Sequence, residues 1–238
     1  MRFALVVAVL VVASTRGEAR DRTAAQAIAP APPSALDSPG VHNAVTITLV
    51  DAIGALPKET APTIAELTGV FGEIGLAARV GRRRPEEAAS SHAGEIEVPV
   101  IVLRRPPKSL GAEPIMGLAL RHHKTPSPVW IFVDNIRLAL GFPEDAGEDP
   151  AARESAFARA LGRVIAHEVI HSLAPSHPHA TGGLMAPTLG RAGLLGPRKP
   201  VEASCAQAVL KGLAALRRLD PAPPLPPPVA AVAERAAP

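Results

Sequence analysis

The chain has 238 residues and a formal net charge of +3, with 25 basic and 22 acidic side chains. Aromatic residues make up 3% of the chain and the basic residues are scattered, which argues against a nucleic-acid-binding surface. Cys205 is the single cysteine, so an intrachain disulfide is excluded and the folded state must depend on its core.

The N-terminal residues are typical of an export signal. Met1 and Arg2 precede an almost wholly apolar run from Phe3 to Ala13, which is too short to cross a bilayer. We interpret residues 1–19 as a signal peptide and expect a secreted or periplasmic protein without a stable membrane anchor. Residues 20–40 are rich in alanine, proline and serine, and we predict a disordered lead-in there.

Residues 41–220 are predicted to form one folded domain. Residues 45–50 alternate between apolar and polar side chains, as in a half-buried strand, and Thr60 is placed to cap a helix that ends before Gly75. Pro99 lies in a later strand and favours a position at the sheet edge or in a bulge. A polar loop is predicted at residues 82–93, and further strands at 77–80, 96–103, 115–121 and 129–133.

Two adjacent histidines, His122 and His123, lie between the last two predicted strands. Adjacent residues of a regular strand point to opposite faces of the sheet, so these two rings cannot bind one ion from a strand. We interpret the segment as an exposed loop rather than a second metal site.

Asp149 and Pro150 are typical of a helix start, with a capping residue followed by proline at the first helical position. The helix that follows is apolar on most sides and is expected to be central. A glycine-rich loop and a last helix at about 201–219 come next, and Cys205 recurs there with apolar residues at helical spacing, which predicts a buried thiol. Residues 221–238 are predicted to be a disordered tail rich in proline and alanine.

The central helix carries the candidate chemistry. His167 and His171 are four residues apart and share one helix face, so both imidazoles can bind one metal ion. Glu168 is rotated by about 100° from His167, which leaves its carboxylate free to accept a proton from water. Pro175 ends the helix, and His177 beyond it is the predicted third ligand. Three nitrogens and one open position are the donor set of a catalytic zinc site.

These residues resemble the H-E-x-x-H-x-x-G-x-x-H motif of the metzincin zinc peptidases, and Leu184-Met185-Ala186-Pro187 is similar to the L-M-x-P of the matrixin branch. The resemblance implies an α+β fold with a twisted mixed sheet of about five strands and three main helices. It also implies one catalytic Zn²⁺, Met185 as a Met-turn beneath the metal and Pro187 in the substrate pocket. Residues 115–120 would then be the edge strand to which an extended substrate pairs.

One position departs from that motif, because Ala174 replaces the glycine of the sharp turn between the second and third ligands. A left-handed conformation costs an alanine about 1 kcal/mol, so the expected turn is strained but possible. The alternative is that His179, after a differently shaped turn, completes the site in place of His177.

The resemblance implies zinc-dependent hydrolysis of peptide bonds in a protein or peptide substrate, with Glu168 as the catalytic base. Two other hypotheses remain open. One is an exported zinc-binding or interaction protein with a catalytically silent site, which Ala174 and the scarcity of aromatic residues support. The other is a globular domain that binds no metal.

Overall fold

The computed structural model describes residues 7–11, 44–51, 53–87, 96–110, 114–120, 126–142 and 149–219. The predicted lead-in, the predicted tail and the pair His122 and His123 lie outside these residues, as does most of the predicted signal peptide.

The strands form one mixed sheet, as predicted. The strands are β1 (Val7–Val11), β2 (Ala44–Asp51), β3 (Ala77–Arg83), β4 (Ile96–Leu103), β5 (Ile115–Leu120) and β6 (Val129–Phe132). Their order in the sheet is β1-β5-β6-β4-β2-β3. The adjacent pairs β6-β4, β4-β2 and β2-β3 are parallel, whereas β5 is antiparallel to both β6 and β1.

Three long helices agree with the prediction, and two shorter ones were not expected. The long ones are α1 (Ala61–Glu73), α3 (Pro150–Leu173) and α5 (Ala203–Leu219), and the short ones are α2 (Val133–Leu140) and α4 (Arg191–Leu195). Val133, predicted as the end of a strand, instead starts α2, which ends at the left-handed Gly141. Among the described residues, no helix is both long and apolar enough to cross a membrane.

β4 lies inside the sheet, between β2 and β6, so the prediction that Pro99 marks an edge or a bulge is wrong. Pro99 is opposite Thr48 of β2, whereas pairing with β6 begins one residue later, at Val100. The proline therefore lies where only one side of the strand is paired, which limits the effect of its missing N–H group.

Two predictions around α1 and β3 also need correction. The side chain of Thr60 forms no capping hydrogen bond, although its carbonyl accepts the N–H of Ile64 at 2.9 Å. Pro62 in the first turn removes one of the donors that a cap would satisfy. Arg82 and Arg83 belong to β3 rather than to a loop, because their backbones continue the parallel pairing with β2.

α3 is the centre of the core, and its residues from Phe157 to Leu173 are almost all buried. Ser172 links its C-terminal end to the segment before β6, since its hydroxyl donates to the carbonyl of Ser127 at 2.9 Å and accepts from the Ser127 N–H at 3.1 Å. On the other side, the hydroxyl of Thr63 in α1 donates to the carbonyl of Ala158 at 2.8 Å. Helix α3, which carries the candidate site, is therefore hydrogen-bonded to α1 on one side and to the segment before β6 on the other.

β5 is the strand that the resemblance predicts to bind substrate, but it is not the outermost strand of the sheet. β1, which falls within the predicted signal peptide, pairs antiparallel with it from Val7 opposite Leu120 to Val11 opposite Ile115, with a shift of register between Val9 and Val11. On its other side, β5 pairs with β6 and is held by Asn135, whose side-chain amide donates to the Ile115 carbonyl at 2.6 Å.

Candidate metal centre

The first two candidate ligands lie near the C-terminal end of α3. The start of this helix is set as predicted, since the Asp149 carboxylate accepts a hydrogen bond from the Ala151 N–H at 3.0 Å. His167, Glu168 and His171 are fully buried in spite of their polar side chains. Packing on all sides therefore restricts their rotamers, which is what a metal centre with fixed geometry requires.

The third histidine of the cluster is His179. Its Nε2 atom lies 3.1 Å from Nε2 of His171, and the same His171 atom lies 3.1 Å from Nε2 of His167. The candidate ligand atoms of these three residues are all within 4.8 Å of one another. Zn–N bonds of about 2.0–2.1 Å in a tetrahedral site place two nitrogens roughly 3.3 Å apart, so the donor set fits a zinc ion.

His177, the predicted third ligand, is not part of this cluster. It lies in the turn after α3, where its N–H donates to the Ala174 carbonyl at 3.0 Å. His177 lines a groove together with Lys211 and Leu216 of α5. The alternative to it at the third position, His179, lies in the cluster instead.

The conformation of Ala174 explains the difference. Its backbone has φ −127° and ψ 64°, so it does not adopt the left-handed turn expected for the family glycine. Alanine disfavours that turn, and the following Pro175 pushes the preceding residue towards extended conformations. The chain leaves α3 through a turn closed by the His177 N–H and the Ala174 carbonyl, and it reaches the metal-binding face at His179, two residues beyond His177. The Ala-Pro pair was the sequence signal for this longer path.

The orientation of His167 is set by a backbone carbonyl. Its Nδ1 atom lies 2.9 Å from the carbonyl oxygen of Leu184. A carbonyl can only accept, so Nδ1 carries the hydrogen and Nε2 presents its lone pair to the cluster. Burial is the main cause that lowers the pKa of His167 from 6.5 to about 4, in spite of this hydrogen bond, and the nearby His179 lowers it further. The ring is therefore neutral at pH 7, as a metal ligand must be.

The predicted Met-turn connects the first and third histidines. Leu184 and Met185 are both buried, and their consecutive carbonyls accept hydrogen bonds from His167 Nδ1 and from the N–H of Ala180, the latter at 2.9 Å. Ala180 directly follows His179 in the chain. One short turn thus holds the ring of one ligand and the backbone next to another, while Pro187 beyond it is exposed.

A buried ionic cluster beside the site was not predicted. Arg163, one turn before His167 on α3, pairs with Glu66 of α1 at 2.9 Å, and both side chains are less than a tenth exposed. Arg163 also donates to the Gly193 carbonyl at 2.7 Å, and Arg198 lies 3.3 Å from the same Glu66 carboxylate. The segment that follows the Met-turn is therefore bonded to α3 through Gly193 and to α1 through Arg198. The available signal was Arg163 itself, a charged residue among the apolar residues Leu161, Val164 and Ile165.

The fold and the three-histidine cluster define an α+β protein with a candidate zinc centre. No family model and no curated protein matches the chain. Among solved structures, it is similar to an archaemetzincin from Methanopyrus kandleri, with a TM-score of 0.46 and 14% identity over 75% of this chain and 99% of that one. It is also similar to a zinc-dependent peptidase from Methanocorpusculum labreanum, with a TM-score of 0.47 and 15% identity over 68% of this chain and 99% of that one.

Proposed function

We propose that the protein is a zinc-dependent metalloendopeptidase that hydrolyses peptide bonds of extended protein or peptide substrates. The observation that supports this is the convergence of His167, His171 and His179 next to the buried Glu168. Zinc binding alone needs the three imidazoles but not a neighbouring carboxylate. A carboxylate beside a three-nitrogen donor set is the arrangement of catalytic zinc sites.

The three histidines would hold the zinc ion. As a Lewis acid, zinc would polarise the scissile carbonyl and make water more acidic. Glu168 is proposed to accept a proton from the attacking water and to deliver it to the leaving amine. Leu184 keeps His167 in the tautomer that binds metal, because its carbonyl accepts the Nδ1 hydrogen.

The substrate is proposed to bind along β5 as an added antiparallel strand. The pairing of β1 with this strand supports the idea, because it places an extended backbone along the full length from Ile115 to Leu120. Recognition through backbone hydrogen bonds tolerates many substrate sequences. Pro187, exposed after the Met-turn, is proposed to line the pocket for the residue that follows the cut bond.

We further propose that residues 1–19 are removed on export to the periplasm or the exterior, which would free β5 for substrate. A protein that starts at residue 20 is expected to have a lower KM for an extended peptide than the full chain has. In the full chain, the backbone amides of β5 should exchange with solvent more slowly. Equal exchange and equal KM would exclude this role for residues 7–11.

The decisive experiment is to incubate the zinc-loaded protein with a mixed peptide pool and to identify cut sites by mass spectrometry. A chelator should abolish cleavage, and Glu168→Ala should retain zinc while losing activity by at least about a hundredfold. Internal cut sites support an endopeptidase, whereas stepwise loss of terminal residues would exclude one. Cleavage by Glu168→Ala at the native rate would exclude the proposed mechanism.

The resemblance to matrixins is closer at the Met-turn than at the third histidine. Met185 is buried and its turn contacts the cluster, as that resemblance implies, but His179 lies two residues beyond the family position. This longer path favours a second candidate function, a zinc-binding protein with a silent site. Tight zinc binding without any cleavage of the peptide pool would support that second function.

A further inference from the structure

Gly117 lies in the middle of β5, opposite Ile131 in the antiparallel pair with β6, and it does not have a positive φ. The pairing of β5 with β1 shifts register between Val9 and Val11, beside Gly117, but a register shift needs glycine only where the backbone is left-handed, which is not the case here. Glycine inside a strand weakens it, and often marks a site where another group approaches closely.

The group that approaches Gly117 is the side chain of Glu168. A Cβ atom added to Gly117 would lie 2.5 Å from Cγ of Glu168, and 2.9 Å from both its Cδ and its Oε1. Carbon atoms in contact prefer about 3.5–4.0 Å, so even a methyl group would overlap with the catalytic side chain. Glu168 is fully buried, and therefore cannot swing into solvent to make room.

We infer that Gly117 is a positioning residue for Glu168, because the missing side chain on β5 leaves the space in which the carboxylate lies. This inference rests on the proposed function only in the role that it gives to Glu168. The steric relationship between the two residues belongs to the fold and holds whatever the site catalyses.

Other glycines of the chain separate this role from simple packing. A Cβ atom on Gly162 would meet the Thr63 carbonyl and Glu66 at 2.9 Å, so that glycine serves the contact between α1 and α3. Gly81 of β3 is also in the interior of a strand, but a Cβ atom there would meet nothing within 4 Å. Gly81→Ala is therefore the matched control for Gly117→Ala.

The first measurement compares zinc content and peptide hydrolysis. Gly117→Ala should keep its zinc, because the overlap does not involve the three histidines, and its kcat should fall by about tenfold or more with little change in KM. Gly81→Ala should retain wild-type values. A Gly117→Ala protein with the wild-type kcat would overturn the inference.

The second measurement is a double-mutant cycle that needs no catalytic activity. Gly117→Ala should lower the unfolding midpoint by roughly 3–10 °C in the wild-type background, because it overpacks a buried site. In the Glu168→Ala background, where Cγ is gone, the same substitution should have almost no effect. Equal losses in both backgrounds would mean that Gly117 serves the packing of helix on sheet alone, which would also overturn the inference.

The two measurements separate failure of this inference from failure of the proposed function. If the wild-type protein cleaves no peptide but the cycle shows strong coupling, the steric role of Gly117 stands and the peptidase function fails. If the wild-type protein cleaves peptides and the cycle shows no coupling, the function stands and the role of Gly117 fails.

Discussion

The Nδ1 atom of His167 donates to the carbonyl of Leu184 at 2.9 Å, across seventeen residues of chain. This bond joins the helix of the H-E-x-x-H motif to the Met-turn. The next carbonyl, that of Met185, accepts the N–H of Ala180, beside the third histidine. The candidate metal centre is therefore organised by backbone carbonyls as much as by its histidines.

His179 and His177 offer a direct comparison. His179→Ala should weaken zinc binding by at least about a hundredfold, because it removes one of three converging nitrogens. His177→Ala should leave zinc affinity unchanged, since His177 lines the groove against α5 and is not part of the cluster. Competition with a chelator of known affinity measures both variants. If His177→Ala weakened zinc binding and His179→Ala did not, His177 would be the third ligand, as the family motif implies.

Gly183 and Gly182 test the Met-turn. Gly183 has φ 70°, and a Cβ atom there would lie 2.7 Å from the Pro200 carbonyl, whereas one on Gly182 would meet nothing within 4 Å. Gly183→Ala should therefore lower stability by about 1–3 kcal/mol and weaken zinc binding by roughly 10–100-fold, because the Leu184 carbonyl moves. Gly182→Ala is the control. Denaturant titration and chelator competition measure the two effects.

The buried ion pair between Glu66 and Arg163 should contribute strongly to stability. Glu66→Gln leaves the guanidinium of Arg163 buried without its counter-charge, and we expect a loss of about 3–5 kcal/mol in unfolding free energy. Glu73, which pairs with Arg198 at the surface, provides the control. Glu73→Gln should change stability by less than about 0.5 kcal/mol. Similar losses in the two variants would contradict this ranking.

The lowered pKa of His167 predicts how the metal-free protein responds to acid. Burial holds this ring neutral down to about pH 4, whereas the unfolded chain binds the proton near 6.5. Between these values the unfolded state binds more protons, so stability falls as pH falls, by up to about 1.4 kcal/mol per pH unit. Denaturant unfolding of the chelated protein at several pH values measures this slope. The slope should be shallower in His167→Gln.

Cys205 should be chemically inert while the protein is folded. Its side chain is fully buried, and burial raises the pKa of the thiol to about 11, so the reactive thiolate is scarce at neutral pH. An aromatic disulfide reagent at pH 8 should modify it only after denaturant is added. Rapid modification of the native protein would show that the C-terminal helix opens readily.

Much of the fold follows from local patterns. The start of α3 at Asp149 and Pro150, the existence of a strand at Ala44–Asp51 and the buried position of Cys205 agree with the prediction. The strand was predicted to be half-buried, but residues 47–50 are all buried, because β2 lies inside the sheet. Local patterns failed where a neighbouring element decided the outcome. The pairing of β4 on both sides, despite Pro99, depends on the register of β6, which no pattern within β4 contains.

The linear motif was enough to predict a metal site on one helix, because residues four apart must share a helix face, and it was enough to nominate Glu168 beside the metal. Which histidine joins His167 and His171 was decided in space, where the turn that begins at Ala174 brings His179 rather than His177 to the cluster. Contacts between segments that are distant in the sequence could not be predicted from the motif either. The bond from His167 to Leu184 and the space that Gly117 leaves for Glu168 exist only once helix, turn and strand are packed together.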